Sequence, residues 1–167
     1  MMMYKPEKMI SEEQAFTRMA RICAQKEYCS YDVRRKLTRM NLPDQTAETI
    51  IGRLKKDKFI DEERFARSFI HDKLRFNKWG KRKIELSLRQ KQLPADLIAT
   101  AFSHFSDASL NESLLPLLEK KRATIKGRSE YEKNGKLIRY GLGRGFSMND
   151  ILACMKIMNL DELPDET

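Results

Sequence analysis

Apolar residues recur at intervals of three and four positions along most of this chain, and the positions between them are polar or charged. The pattern is clearest in the middle, where one helix face is predicted to hold Phe65, Ala66, Phe69, Ile70 and Leu74. Such spacing places side chains on one side of an α-helix. No segment alternates apolar and polar residues with the period of two that marks a strand, so the sequence predicts an all-α fold.

Capping residues indicate where the helices of this middle stretch begin. Asp61 stands where an N-cap is expected, and two glutamates follow it in the first turn, where negative charge is favourable. Residues 77–80 are predicted to end this first helix. A second helix then carries Ile84 and Leu88, and a proline after Leu93 opens a third. The stretch therefore predicts a three-helix unit.

The same plan recurs on both sides of this stretch. A shift of about 50 residues superposes Val33, Leu37 and the Leu42-Pro43 pair on Ile84, Leu88 and the Leu93-Pro94 pair. Such a match at a fixed shift indicates an internal repeat. Ser11 with Gln14 has the pattern of a capping box at the start of the first copy. A third copy is predicted to begin at a second capping box, Ser109 with Glu112, and to end in a helix capped by Ser147.

Three tandem three-helix units are therefore predicted, forming an elongated array in which each unit contacts mainly its neighbours. The predicted divisions are an N-terminal tail at 1–10, units at 11–59, 60–108 and 109–158, and an acidic C-terminal tail at 159–167. Several glycines crowd the middle of the third unit between Gly127 and Gly145. We expect looser packing and an indistinct helix boundary there.

Composition narrows the class of partner. The chain has 167 residues, of which 41% are hydrophobic and 34% are charged, which indicates a folded protein with a very polar surface. Its formal net charge of +9 favours nucleic acid, an anionic surface or an acidic protein as the partner.

The positive charge concentrates on or beside the second helix of the first two units. We define the basic ridge as Arg34, Arg35, Lys36 and Arg39, followed by Lys73, Arg75, Lys78, Lys81, Arg82, Lys83, Arg89 and Lys91. Between Lys73 and Lys91 the one acid is Glu85, and Phe76 and Trp79 are interleaved. One interpretation is a surface that binds phosphate or an acidic partner. The other is a solvated helix face on which Trp79 fills a helix junction.

The sequence has no recognisable pattern for catalysis, a metal or a cofactor. Its three cysteines are widely spaced and its two histidines lack a companion nucleophile, so neither zinc-ligand spacing nor a nucleophile motif is present. Glycines at 141, 143 and 145 lack the flanking residues of a phosphate-binding loop. No apolar run approaches transmembrane length. We expect a cytoplasmic monomer with reduced thiols and no enzymatic activity.

Several segments together resemble the RecX family of bacterial regulatory proteins. They are Arg35-Lys36-Leu37 after Ser30, the run from Phe59 to Ala66, then Gly80, Ile84, Leu88 and Lys91, and lastly Arg144-Gly145-Phe146-Ser147 with Ile151. The resemblance covers nearly the whole chain. Two positions depart from it, because the family often has glycine where this chain has Gln92 and a basic residue where it has Gly143.

The resemblance implies a regulator of the RecA recombinase that lies on the RecA filament on single-stranded DNA. It implies that the regulator restrains strand exchange and the filament's ATPase, and so acts in DNA repair, recombination and the SOS response. The basic ridge is then the candidate contact with RecA or DNA. The alternative is a DNA-binding protein that acts without RecA, either independently of sequence or through a helix-turn-helix.

Overall fold

The computed structural model describes residues 10–160, which form helices joined by short turns and contain no strand. This confirms the all-α prediction. The helices are α1 (Glu12–Gln25), α2 (Ser30–Arg39), α3 (Asp44–Lys56), α4 (Glu62–Asp72), α5 (Lys81–Gln90), α6 (Ala95–Phe102), α7 (Asp107–Asn111), α8 (Leu114–Arg122), α9 (Glu130–Gly143) and α10 (Met148–Ile157). A single π-helical turn, Lys73–Asn77, directly continues α4.

The chain divides into two compact units, Met1–Phe65 and Ala66–Thr167, and the division falls inside α4. The second and larger unit holds α5–α10 together with most of α4. The finer boundaries predicted at 60–108 and 109–158 stay a prediction. The predicted tails at 1–10 and 159–167 lie mostly outside the described residues.

Helices α1–α3 enclose the core of the first unit, where α1 and α2 both pack against α3. The buried side chains are Ala15, Met19, Cys23, Val33, Leu37, Ala47, Ile50, Ile51, Leu54 and Ile60. The predicted capping box starts α1, because Ser11 and Gln14 each donate a backbone N–H to the other's side chain at 3.1 Å. At the start of α2, the Ser30 N–H and hydroxyl donate to the Glu62 carboxylate at 2.8 and 3.0 Å.

Helices α1–α3 and α4–α6 repeat the same plan, and equivalent residues also share the same backbone conformation. Asp61 caps α4 as predicted, since the Arg64 N–H donates to Asp61 Oδ1 at 3.0 Å. Asn41 and Gln92 hold equivalent places after α2 and α5, and both have left-handed backbone, with φ of 58° and 63°. The buried side chains of α4–α6 include Phe65, Ala66, Ile70, Ile84, Leu88, Ile98, Ala101 and Phe102.

The predicted capping box of Ser109 with Glu112 is wrong. Ser106 is the N-cap of α7, because its hydroxyl accepts the Ser109 N–H at 3.1 Å and its backbone is extended. Ser109 already lies inside that helix. Two serines three residues apart both fit a capping pattern, and the one that follows the turn after α6 becomes the cap.

The expectation of loose packing among the later glycines is also wrong at Gly141. Helix α9 runs without a break through that glycine, which is buried against α10. A Cβ added there would lie 2.7 Å from the Ile151 side chain. Helices α8, α9 and α10 pack against one another around Leu114, Leu118, Leu137, Ile138, Phe146, Ile151 and Met155.

Candidate nucleic-acid interface

The predicted break after α4 is a widened helical turn followed by a reversal of the backbone. After the π turn, Lys78 adopts left-handed backbone with φ of 55°, and the Trp79 N–H donates to the Lys73 carbonyl at 3.1 Å. Single π turns inside helices are uncommon and often occur at functional sites. The π turn and the start of α5 hold six members of the basic ridge, which are Lys73, Arg75, Lys78, Lys81, Arg82 and Lys83.

Trp79 lies half-buried at this corner, beside two lysines of the ridge. The Lys73 and Lys83 ammonium nitrogens lie 4.9 and 4.7 Å from the centre of the indole ring. At this range the face of an aromatic ring attracts a cation. The side chains of both lysines are therefore held against the indole.

The first turn of α5 carries Lys81, Arg82 and Lys83 and no acidic residue. Positive side chains are unfavourable at this end of a helix, where the macrodipole already presents partial positive charge. Lys81 packs with its ammonium 5.3 Å from the Phe102 ring centre, and both Lys81 and Arg82 are exposed. The local electrostatics therefore favour an external anion.

Backbone N–H groups at the start of α5 are hydrogen-bonded to the turn between α9 and α10. The Gly80 N–H donates to the Arg144 carbonyl at 2.8 Å, and the Arg82 N–H donates to the Gly145 carbonyl at 3.1 Å. A Cβ on Gly80 would overlap the Gly145 carbonyl, whereas one on Gly145 would lie 2.5 Å from Lys83 Cβ. We call this contact the glycine joint, and it occupies two of the backbone N–H groups at the start of α5.

Arg144 completes the corner from the other side. Its guanidinium donates to the Asn77 carbonyl, and to the Lys78 carbonyl at 3.3 Å, so it closes the end of the π turn. Its Nε is buried without a hydrogen-bond partner among residues 10–160. Sequence reasoning placed Arg144 in a family motif but gave it no role, because nothing in its spacing pointed to residues so far upstream.

The part of the ridge on α2 is engaged within its own unit. Arg34 Nε lies 2.6 Å from Glu48 Oε1 on α3, and this ion pair raises the pKa of Arg34 and lowers the pKa of Glu48. The Lys36 ammonium lies 5.0 Å from the Tyr28 ring centre and the Arg35 guanidinium 5.8 Å from that of Tyr31. Most of these cations therefore hold their own helices in place.

The remaining members of the ridge divide between paired and exposed positions. Arg89 forms an ion pair with Glu85 at 2.9 Å along α5, and Lys91 is half-buried just after that helix. Arg75 is exposed, with its guanidinium 5.5 Å from the ring centre of Phe76. The exposed members of the ridge are Arg35, Arg39, Arg75, Lys78, Lys81, Arg82 and Arg89, and Arg89 is both exposed and paired.

The three thiols lie in environments that suppress the thiolate. Burial raises the pKa of Cys23 and Cys154, and it raises the pKa of Cys29 to about 12. Because the thiolate is the nucleophile, this lowers the reactivity of all three thiols at neutral pH. Residues 10–160 contain no cluster of histidine, cysteine and acidic side chains able to hold a metal ion. Among the same residues, no helix is both long and apolar enough to cross a membrane.

Solved structures resemble this chain over most of its length. A crystal structure of RecX from Lactobacillus salivarius superposes with a TM-score of 0.77 at 19% identity, covering 90% of this chain and 97% of that one. A second crystal structure, of a regulatory protein RecX, also gives a TM-score of 0.77, at 21% identity over 90% of this chain and 72% of its own. At these identities the likeness shows the shared fold.

Sequence comparisons show the family. Family models of the second and third three-helix domains of RecX match residues 61–101 and 110–155. The regulatory protein RecX of Prosthecochloris aestuarii is 32% identical over 140 residues, which are 83% of this chain and 85% of that protein. The regulatory protein RecX of Clostridium botulinum is 30% identical over 74% of this chain and 58% of its own length. This chain belongs to the RecX family of regulatory proteins.

Proposed function

We propose that this protein binds the RecA filament on single-stranded DNA and restrains its strand exchange and ATPase. The observation that supports this most strongly is the group of exposed cations around the π turn and the first turn of α5. In a chain that belongs to the RecX family, these cations are the candidate contact with the filament. A filament offers both DNA phosphates and protein carboxylates to such a surface.

The charge pattern favours a polyanionic partner over a purely solvated face. The first turn of α5 gathers three cations where the helix dipole disfavours them, and such placement typically costs roughly 0.3–1 kcal/mol per charge. A bound anion removes this penalty. The net charge of +9 also attracts a polyanion from a distance and speeds association.

The same corner disfavours the helix-turn-helix alternative. A recognition helix uses its N-terminal residues to contact base edges in the major groove. Here the start of α5 is closed by Arg144 and Gly145, while Lys81 and Lys83 pack against aromatic rings. The side of α5 is therefore suited to contact phosphates or carboxylates, and its N-terminal end is not suited to contact base edges.

The direct test compares binding to three ligands at one salt concentration: a fluorescent single-stranded oligonucleotide, the same oligonucleotide as duplex, and RecA filaments assembled on it with a slowly hydrolysed ATP analogue. We expect at least tenfold tighter binding to the filament, together with slower strand exchange and ATP hydrolysis by RecA. Equal affinity for bare DNA and no effect on RecA would instead support a DNA-binding protein that acts alone.

A triple change tests whether the first turn of α5 takes part. Replacing Lys81, Arg82 and Lys83 with glutamine is expected to weaken inhibition of RecA several-fold. The matched control removes the same charge from exposed positions outside the ridge, by replacing Lys126, Arg128 and Lys156 with glutamine. Thermal unfolding of both variants checks that lost contacts of Lys81 and Lys83 with aromatic rings do not unfold the protein. If the two variants inhibit equally well, this part of the ridge is a solvated face.

A further inference from the structure

A groove of about 810 Å³ lies between the end of α4 with its π turn and the α7–α8 segment. Both walls belong to the unit Ala66–Thr167. No side chain among residues 10–160 fills this groove, and its lining does not include Trp79, Lys73 or Lys83. It was not predicted, because its two walls come from distant parts of the sequence.

The wall and floor of the groove are largely apolar. Leu74 contributes from the π turn, Phe105 from the turn after α6, and Pro116 and Leu117 from α8. Leu117 also packs against the core of α8–α10, so this wall is anchored in folded structure. Aliphatic and aromatic surface of this kind favours burial of large apolar side chains of a ligand.

The groove also carries an excess of positive charge. Arg75 and Lys78 line it from one wall and Lys120 from the other, and all three are exposed. Glu112 is the one acidic residue among the residues that line it. A ligand that matches this groove therefore combines apolar side chains with several carboxylates.

We propose that this groove is a docking site for an acidic, amphipathic segment of a protein partner. Apolar side chains of the segment pack on Leu74, Pro116 and Leu117, while flanking carboxylates pair with Arg75, Lys78 and Lys120. Helical segments commonly bind grooves through apolar side chains spaced three and four residues apart. This docking proposal depends on the proposed function in one respect. We expect the partner segment to belong to RecA, the protein of the filament.

A protein segment matches this groove better than a nucleic acid. Sites for single-stranded nucleic acid stack bases on exposed aromatic rings, and among Phe, Tyr and Trp side chains only the half-buried Phe105 lines this groove. Leu74, Pro116 and Leu117 present no planar surface to a base. Glu112 can accept a hydrogen bond from a hydroxyl or amide N–H of a peptide.

The test first identifies the ligand class without RecA. A phage-displayed library of random 12-residue peptides is selected on the full-length protein, and the recovered sequences are compared with the unselected library. We expect enrichment of peptides with several aspartates or glutamates and two or more large apolar residues. Selected peptides are then synthesised, labelled and measured by fluorescence anisotropy.

Two variants of the groove then locate the binding. Ser109→Trp fills the groove from an exposed position on α7, and Lys120→Glu reverses its charge. Each is expected to lower peptide affinity at least tenfold and to leave the affinity for a single-stranded oligonucleotide unchanged. The controls are Thr49→Trp and Lys156→Glu, which make the same changes on exposed surfaces elsewhere.

The outcomes separate this proposal from the proposed function. Selection of peptides without acidic enrichment overturns the docking proposal, as does undiminished peptide binding by both groove variants. A loss of oligonucleotide affinity in Ser109→Trp would assign the groove to nucleic acid and equally overturn it. If the peptides bind as expected but the groove variants inhibit RecA as well as the parent protein does, the docking site stands and its partner lies outside the filament.

Discussion

At the scale of single residues, Phe76 is the least expected side chain of the candidate interface. It exposes 70% of its surface in the middle of the π turn, beside the guanidinium of Arg75. A large apolar ring gains nothing for folding when it is left in water. An exposed aromatic ring among cations is what proteins use to stack the bases of single-stranded nucleic acid.

Phe76→Ala is therefore expected to weaken binding to an oligothymidine by about 1–3 kcal/mol, the range found when a stacking ring is removed. Fluorescence anisotropy measures the affinity, and thermal unfolding is expected to be unchanged because the ring is exposed. The control is Leu86→Ala, which removes another exposed side chain, with 57% of its surface accessible, from α5. Equal affinities of the two variants would show that Phe76 does not stack on DNA.

Gln92, which stands where the family often has glycine, lies at a position with a strained backbone. Its backbone is left-handed, with φ of 63°, immediately after α5. Side chains other than glycine are disfavoured in this region by about 1–2 kcal/mol. The family's usual glycine is thus the residue that this backbone prefers, and Gln92 holds the same conformation under strain.

Gln92→Gly is expected to raise the free energy of unfolding by about 0.5–1 kcal/mol, because relief of strain is partly offset by the greater freedom of glycine in the unfolded chain. Urea denaturation followed by circular dichroism measures the change. Ala99→Gly, at an exposed helical position of α6, is the control and should lower stability by about 1 kcal/mol. Destabilisation by Gln92→Gly would show that this backbone is not strained.

At the scale of helices, local rules predicted the starts that depend on local contacts. The caps at Ser11, Asp61 and Ser147 are confirmed, because each side chain accepts a hydrogen bond from its own first turn. The cap at Ser109 failed, because two neighbouring serines fit the pattern. The π turn was predicted only as a break, since the Asn77 carbonyl at its end accepts a hydrogen bond from Arg144 of a distant segment.

The glycine joint could not be predicted either, because it also joins segments that are distant in the sequence. Gly80 and Gly145 belong to separate motifs, and nothing in either motif indicates that their backbones meet. The structure shows that both motifs serve one contact between α5 and the α9–α10 corner. Their glycines are required because neither backbone leaves room for a Cβ.

Gly80→Ala is expected to lower the free energy of unfolding by about 1–3 kcal/mol or more, as overpacking does in a tight contact. Guanidinium unfolding followed by Trp79 fluorescence reports on the joint, since Trp79 is adjacent to Gly80. Gly143→Ala is the matched control: a Cβ there meets nothing within 4 Å, and alanine in α9 should be neutral or stabilising. A Gly80→Ala protein as stable as the Gly143→Ala protein would disprove the close contact.

At the scale of the whole molecule, the amount of positive charge was easier to predict than which charged side chains are exposed. The excess of Lys and Arg and their concentration in two stretches were visible in the sequence. Which cations remain exposed was not, because the Arg34–Glu48 pair joins two helices and the two lysines beside Trp79 come from the π turn and from α5. The candidate interface is therefore smaller than the basic ridge and centres on the π turn and the start of α5.

Affinity for single-stranded DNA is expected to fall steeply with salt, with a log-log slope of about 0.7 per neutralised phosphate. Replacing Lys81, Arg82 and Lys83 with glutamine should flatten this slope by up to about two units, the loss of three phosphate contacts. Anisotropy titrations at several salt concentrations provide the measurement. An unchanged slope combined with lost inhibition of RecA would mean that these cations meet carboxylates on protein instead of phosphates.

The glycine joint also bears on the order in which the chain can fold during synthesis. The amides of Gly80 and Arg82 receive their acceptors from Arg144 and Gly145, which the ribosome adds much later. Until that corner has emerged from the exit tunnel, the start of α5 is open and its cations surround free N–H groups. A nascent chain paused before Arg144 would therefore offer polyanions, including ribosomal RNA, two backbone N–H groups that are already bonded in the folded protein.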